Sequence, residues 1–347
     1  MKTVRVEASG AYDVIIGPGL IGKAGEYIAK AVKPCHAAVI TDSTVRALYG
    51  DRVMESLGKA GFEAEIWSFP AGEQHKTMET LTGALEFMGD IHLSRGDLVV
   101  ALGGGVPGDL AGFAAAVYCR GTRFVQLPTT LLAAVDASVG GKTAVDLKAG
   151  KNLAGAFHQP ELVLCDTDVL AALPPELLRD GAAEIIKYGM LADPALFGRM
   201  VSGAWKAQME ETVARCVSIK RDYVLGDERD TGKRQFLNLG HTFGHAVEKC
   251  SGFTLTHGQG VAIGMVMAAR AAGMDEKEIA AACQSCGLPV HCPYPAQALC
   301  EAALNDKKRR GGQITLVLPE AIGKCRLQTI PIAELPRYFR NGTGEAE

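Results

Sequence analysis

No apolar run in this chain approaches the ~20 residues needed to cross a bilayer, so a transmembrane helix is not expected. The opening residues, MKTVRVEASG, lack the apolar core of a secretory signal, which makes the cytoplasm the expected setting. Charge of one sign is missing too. The net charge of −3 excludes the basic excess by which a general nucleic-acid or membrane binder would announce itself. The ten cysteines are scattered, without the spacing of a disulfide framework, and read as reduced, mostly buried thiols. Cys283, Cys286 and Cys292, with His291, make one local cluster, but no second pair follows at zinc-knuckle spacing. No repeat or low-complexity tract interrupts the chain. What is present, 347 residues of which 48% are hydrophobic and 22% charged, is an ordinary globular composition in a chain long enough for two domains.

Short apolar segments alternate with helical patterns in the first half. Strands are expected at Ala37–Thr41, Ala64–Phe69, Asp97–Leu102, Arg123–Leu127 and Leu162–Cys165, rich in Val, Ile and Leu. Helices are expected between them, at Ser43–Ala60, Thr77–His92 and Gly108–Tyr118. That alternation implies a parallel sheet covered on both faces, with Val4–Ala8 and Tyr12–Ile16 as a hairpin at its edge. After Leu173-Pro174-Pro175 the pattern turns helical as far as Cys286, and Gln313–Leu318 with Lys324–Thr329 reads as a small hairpin. The expected architecture is an α/β domain with a Rossmann-like parallel sheet over residues 1–172, followed by a mainly α-helical domain over residues 173–347.

In VVALGGGVPGDLAGF, Gly103, Gly105 and Gly108 follow a strand and precede a helix, the context in which backbone N–H groups and a helix N-terminus hold a pyrophosphate. The acidic residue expected ~20 positions further on, which would bind a ribose hydroxyl, is missing. Asp42, at the end of an earlier strand, is the substitute at the carboxyl edge of the sheet. IIGPGLIG offers the same spacing at Gly17, Gly19 and Gly22, and is read instead as a hairpin turn.

NLGHTFGHAVEKC puts His241 and His245 on one helix face with Glu248 a turn beyond, while His257 stands just before the apolar helix Gly260–Met274. Glu184 and Lys187 share a face of another helix. A catalytic zinc site needs three such His or carboxylate donors and an open position; spacing alone leaves open which histidines serve. Lys142, beside two glycines in SVGGKTAVDLKAGKN, Lys151-Asn152, Arg120 in YCRGTRF and Lys307 to Arg310 in NDKKRRGG lie in segments read as loops. Together they suggest an anionic substrate, phosphorylated or carboxylated.

In this order, the blocks GEQHKT, GGGVPGDLAGF, RGTRFVQLPTTLLAAVDASVGGKTAVD, GKNLAGAFHQP, GAAEIIKYG, LNLGHTFGHAVE, THGQGVAIGM, NDKKRRGG and LVLPEAIGK resemble the 3-dehydroquinate synthase family, over residues 72–324. The resemblance implies conversion of 3-deoxy-D-arabino-heptulosonate 7-phosphate to 3-dehydroquinate and phosphate, with NAD used catalytically and a divalent zinc or cobalt ion. Oxidation of the C5 hydroxyl acidifies the neighbouring C–H, phosphate leaves by β-elimination, and reduction and an intramolecular aldol closure follow. It implies Glu184, His241 and His257 as metal ligands, and His245 as an acid/base or substrate-orienting group. Lys142, Asn152, Lys187, Lys220, Arg234, Asn238 and a lysine of the Lys307-Lys308 pair match substrate-binding positions, and Asp136 a substrate-contacting aspartate. Arg120 matches an arginine that serves the other subunit, which implies a homodimer. Asp42, Glu73, Lys76, Gly104, Gly105, Asp109, Thr129, Thr130, Lys142 and Lys151 match the NAD positions.

Four positions depart from the family pattern. Gln259 replaces a glutamate beside His257, and is expected to remove a carboxylate that tunes the metal. Ala172 replaces a threonine near the nucleotide, Leu177 a common glutamate, and Pro107 is unusual in the glycine loop. Sister sugar-phosphate cyclases, of the 2-deoxy-scyllo-inosose or aminodehydroquinate type, and a binding-only relative share the same pattern. Lys220, Arg234, Asn238 and Lys307 together favour the carboxylated heptulosonate.

Overall fold

The computed structural model describes residues 1–304 and 312–345, in two compact units, Met1–Leu173 and Pro174–Glu347. In the first unit β1 (Lys2–Glu7), β2 (Ala11–Gly17), β3 (His36–Asp42), β4 (Glu63–Phe69), β5 (Leu98–Gly103), β6 (Arg123–Pro128) and β9 (Leu162–Asp166) form one sheet in the order β1-β2-β9-β6-β5-β3-β4. Only the β1–β2 hairpin is antiparallel; the other pairs are parallel. All six residues of β5 are buried, because alternate side chains enter two different cores. Leu98, Val100 and Leu102 pack with residues of α1 (Ala24–Ala31) and α3 (Asp51–Lys59). Val99 and Ala101 pack with residues of α4 (Met78–Asp90) and α5 (Gly105–Val117). The helix expected from Ser43 divides into α2 (Ser43–Val45), a π-type turn at Arg46–Gly50, and α3. A short α6 (Thr167–Ala171) ends the unit.

Two readings of the sequence are corrected here. The SVGGKTAVDLKAGKN segment is not a loop: β7 (Lys142–Leu147) and β8 (Gly150–Phe157) form an antiparallel hairpin, paired from Lys142↔Phe157 to Leu147↔Gly150 with a register shift between Val145 and Leu147. Its small residues and half-exposed β8 give no apolar alternation. Its anchor is tertiary, since Thr143 is buried against Gly112 of α5, where a Cβ would lie 2.5 Å from its methyl group. Nor does IIGPGLIG make a hairpin turn. It links β2 through a 3₁₀ turn (Ile21–Lys23) to α1, and the Asp166 carboxylate already accepts from the N–H groups of Gly19 (3.0 Å) and Ile21 (2.8 Å). Amides with an internal anion cannot also serve a phosphate.

The second unit is mainly helical: α7 (Pro175–Ala192), α8 (Pro194–Ser202), α9 (Met209–Val224), α10 (His241–Cys250), α11 (His257–Ala271), α12 (Lys277–Ser285) and α13 (Ala296–Leu304). The β10 (Gln313–Ala321) and β11 (Lys324–Pro331) hairpin and α14 (Leu335–Thr343) follow. Helix α11 begins three residues earlier than its apolar run suggested. Thr256 caps it, and His257 is its first residue. From Val261 to Ala269 every residue of α11 is buried, and α7, α10 and α14 pack around it.

Glycines set the α10–α11 crossing. A Cβ at Gly244 would lie 2.6 Å from the Gly260 carbonyl oxygen, and one at Gly264 would lie 2.0 Å from that of Gly240. The glycine preceding each histidine of NLGHTFGH therefore serves packing: Gly244 lets α10 approach α11 at Gly260, and Gly240 lets it approach at Val261 to Met265.

Candidate active site

Glu184, in the middle of α7, is completely buried. Its Oε1 lies 3.2 Å from His257 Nε2 and 3.5 Å from His241 Nε2. His241 opens α10 and its Nδ1 lies 3.0 Å from the Leu239 carbonyl, so Nδ1 carries the hydrogen and the Nε2 lone pair faces Glu184. Donor atoms of the three residues lie within 4.8 Å of one another. Burial, and next the Lys187 ammonium, hold His241 well below the ordinary histidine range, which leaves its ring neutral. Burial works in the same direction on His257, but the hydrogen bond with Glu184 and the neighbouring Glu248 carboxylate outweigh it and push its pKa up to about 10. Two imidazoles and one carboxylate make the donor set of a three-ligand zinc or cobalt site. A divalent cation would displace the proton that His257 holds between the two carboxylates. The residues fit a metal.

His245 stands a turn further along α10, its ring 5.3 Å from that of His241 and 6.1 Å from that of His257, centre to centre. Glu248, another turn on, places Oε1 3.3 Å from His257 Nδ1. Lys187 pairs with Glu184 Oε2 from one turn along α7. Lys220 on α9 and Arg234 in the 3₁₀ turn Lys233–Asn238 are buried as well, and this turn packs against both α7 and α9. Asp227 shapes the approach to that turn, accepting from the N–H groups of Thr231, Gly232 and Arg234, each at 2.8 Å. Asn238 ends the turn and donates to the Gln235 carbonyl. Lys307 and Lys308 lie outside the described residues.

In the first unit the candidates gather at the carboxyl ends of β3, β5 and β6. Gly104 caps α5, and a Cβ on it would lie 3.0 Å from the Thr130 methyl group; Thr129 N–H donates to Gly103 O at 2.9 Å. Gly105 opens the helix, whose first amides have no acceptor within it. Pro107 falls in that first turn, where its missing N–H costs nothing, so it leaves the glycine loop intact. Asp42 accepts from Thr44 and Val45 N–H, both at 2.9 Å, and so caps α2.

Lys76 is the centre of a polar cluster. Its ammonium lies 2.6 Å from Asp109 Oδ2 and 2.6 Å from Asn152 Oδ1. Burial opposes its charge, but Asp109, Glu73 and Asp146 prevail and hold its pKa above the usual lysine value. Asn152 takes a left-handed φ of 54°, held by its N–H to Asp146 Oδ1 at 2.7 Å. Asp146, overlooked in the sequence, thus supports Asn152; a carboxylate inside a recognised hairpin would have been the signal. Glu73 and Lys151 make a loose exposed pair at 3.8 Å. Lys142 opens β7, and Asp136 lies in a π-type turn, Ala133–Ala137. Arg120 lies between α5 and the start of β6, at the amino edge of the sheet, with φ 64°.

Asp180 is another residue that the sequence did not single out, and Glu248, noted there a turn beyond His245, was given no role. Asp180 accepts from Gly258 N–H at 2.6 Å and ties α7 to the start of α11. Gln259 does not adjoin the metal donors in the expected way. Its Oε1 accepts from Thr256 N–H (2.9 Å) and its own N–H donates to Thr256 Oγ1, a capping box that glutamine closes as well as glutamate. Ala172 follows α6, and Leu177 lies on the surface of α7. Among the described residues no cysteine joins a possible metal cluster, and all ten cysteines are free thiols.

Residues 66–180 match the family described as 3-dehydroquinate synthase N-terminal, and residues 181–309 the one described as 3-dehydroquinate synthase C-terminal. A 3-dehydroquinate synthase from Rhizobium etli is 44% identical, over 98% of this chain and 96% of its own length. One from Enterococcus faecalis is 41% identical, over 99% of each chain. Among solved structures, a 2-epi-5-epi-valiolone synthase from Streptomyces hygroscopicus with NAD+ and Zn2+ bound superposes with TM-score 0.87 at 28% identity, covering 99% of both chains. A 2-deoxy-scyllo-inosose synthase complexed with carbaglucose-6-phosphate, NAD+ and Co2+ reaches 0.85 at 25% identity, covering 98% of this chain and all of its own.

Proposed function

The chain belongs to the 3-dehydroquinate synthase family, and on that premise we propose that it converts 3-deoxy-D-arabino-heptulosonate 7-phosphate to 3-dehydroquinate and inorganic phosphate. The observation that carries this reading is the convergence of Glu184, His241 and His257, with Lys187 on the same carboxylate. When bound, NAD supplies a hydride acceptor that later returns the hydride, and zinc or cobalt the Lewis acidity that lowers the pKa of the reacting hydroxyl. Glu184, His241 and His257 would hold the ion. Gly104, Gly105, Asp109, Thr129 and Thr130, with Asp42, Glu73, Lys76, Lys142 and Lys151, would hold NAD.

The rest is done by the chain's own side chains. Lys187, Lys220 and Arg234 are buried cations, and a substrate bearing both phosphate and carboxylate is the ligand that their charge suits. Burial strengthens that attraction and excludes water from the elimination. His245, within reach of both other rings, is placed to move a proton at a substrate hydroxyl. Asn238, Asn152 and Asp136 orient hydroxyls. Arg120 matches the family arginine that serves the phosphate of a second subunit, and on that reading the working form is a homodimer, set in the cytoplasm.

The test is to incubate the protein with the heptulosonate phosphate, NAD and zinc or cobalt, and to follow phosphate, cyclic product and absorbance of reduced nicotinamide. Equal release of phosphate and product with no net NADH is expected, lost on exhaustive chelation and restored by added metal. Steady NADH accumulation, or full turnover after chelation, would overturn the reading.

A further inference from the structure

His257 lies between two carboxylates. Its Nε2 faces Glu184 Oε1 at 3.2 Å and its Nδ1 faces Glu248 Oε1 at 3.3 Å. An imidazole can give a lone pair to a cation from one nitrogen only when the other carries the hydrogen, and the partner of that second nitrogen selects the tautomer. His241 solves the same problem with the Leu239 carbonyl, 3.0 Å from its Nδ1, and also presents Nε2 to Glu184. The two rings thus turn matching ends toward one carboxylate, His241 with its Nδ1 bonded to the Leu239 carbonyl and His257 with a carboxylate oxygen 3.3 Å behind its Nδ1.

Glu248 is buried, and a carboxylate is retained inside a protein only with a partner. Space has been left for it. A Cβ on Gly260 of α11 would lie 2.7 Å from Glu248 Cγ and 2.9 Å from its Oε1. The neighbouring Gln259 is engaged in the helix cap and leaves this place to Glu248.

We propose that Glu248 is the positioning residue of His257, accepting its Nδ1–H so that Nε2 is the nitrogen offered to the metal beside Glu184 and His241. The inference rests on the metal site proposed above. It assigns to Glu248 the tuning carboxylate that the sequence led one to seek at position 259.

The test measures Co2+ affinity by competition with a chromogenic chelator, for the wild type, Glu248→Gln and Glu248→Leu. The visible spectrum of the cobalt-loaded proteins and the melting temperature of the metal-free ones are recorded alongside. Glu248→Leu is expected to bind Co2+ about 10- to 100-fold more weakly, with an altered spectrum. Glu248→Gln, whose amide oxygen still accepts from Nδ1, should recover most of the affinity. Equal affinity in wild type and Glu248→Leu would overturn the proposal, as would a Glu248→Gln loss as large as that of Glu248→Leu. A second Co2+ per chain that disappears in Glu248→Gln would make Glu248 a ligand and overturn it too. If wild type binds no Co2+, the metal site itself fails and the proposal falls with it. Should Glu248→Leu not fold, long-range ¹H–¹⁵N spectra of histidine-labelled, zinc-loaded wild type decide: His257 protonated at Nδ1 is expected, and protonation at Nε2 overturns the proposal.

Discussion

Gly264 approaches Gly240 so closely that a Cβ on Gly264 would lie 2.0 Å from the Gly240 carbonyl oxygen and 2.7 Å from Gly244 N. The obstacle is backbone, which cannot swing aside as a side chain can. Gly264→Ala must therefore separate α10 from α11. A loss of about 1–3 kcal/mol of stability is expected in denaturant unfolding, the usual range for overpacking. Weaker Co2+ binding should accompany it, because His241 and His257 lie on the two helices being separated. Unchanged stability would show that the helices cross less tightly than described.

Gln259 supports a contrasting expectation. Since its side chain closes the cap of α11 with Thr256, Gln259→Glu should keep the capping box. It should gain up to about 0.5 kcal/mol from the helix dipole and leave metal affinity within about threefold of wild type. A tenfold change in affinity, measured by chelator competition, would return a metal-tuning role to this position.

Lys76 and Asp109 form a largely buried pair at 2.6 Å. Removing one partner leaves the other's charge uncompensated, so Lys76→Met is expected to cost about 2–3 kcal/mol in unfolding experiments. The cost should shrink by more than half when Asp109→Leu is already present, because the stranded charge is then gone. Equal costs in both backgrounds would dissolve the pairing. NAD affinity should fall in Lys76→Met, as Asn152 loses the same ammonium.

Asp227 carries a pH dependence whose sign follows from its neighbours. Its slight burial raises the pKa, but the N–H groups of Thr231, Arg234 and Gly232 outweigh it, and the carboxyl is held below its ordinary value. A depressed carboxyl contributes stability that is present above its unfolded value near ~3.9 and lost as pH falls through the lower folded value. Asp227→Asn should therefore destabilise by about 1 kcal/mol near neutrality. Its unfolding curve should meet that of wild type once the pH is low enough to protonate Asp227 in the folded protein. A difference independent of pH would assign the loss to shape and not to charge.

Much of the fold was legible because its signals are local. The β3, β5, β6 and β9 segments are short and dense in Val, Ile and Leu, as a strand buried on both faces must be. The order of long motifs identified the family. The β7–β8 hairpin was not legible, since β7 buries three consecutive residues and β8 is half-exposed, so neither strand carries a period of two. What holds it is Thr143 seated on Gly112, a contact 31 positions apart in the chain. Pro107 and Gln259 looked like departures because a family pattern does not say that the first turn of a helix tolerates proline, or that a capping box takes glutamine.

By itself the sequence determined which donors exist: Glu184, His241, His245, Glu248 and His257. It left His241 and His245 equivalent by spacing, since both project from one face of α10. The family resemblance named His241 as the ligand, and the tertiary structure groups His241 with Glu184 and His257, and His245 with Glu248 and His257. The glycine-lined crossing of α10 and α11 sets His257 against Glu184 on one side of its ring and Glu248 on the other, with His245 beside Glu248. Periodicity along a helix places a residue on a face; which nitrogen of its ring meets which carboxylate depends on how closely two backbones approach, and that is a property of packing.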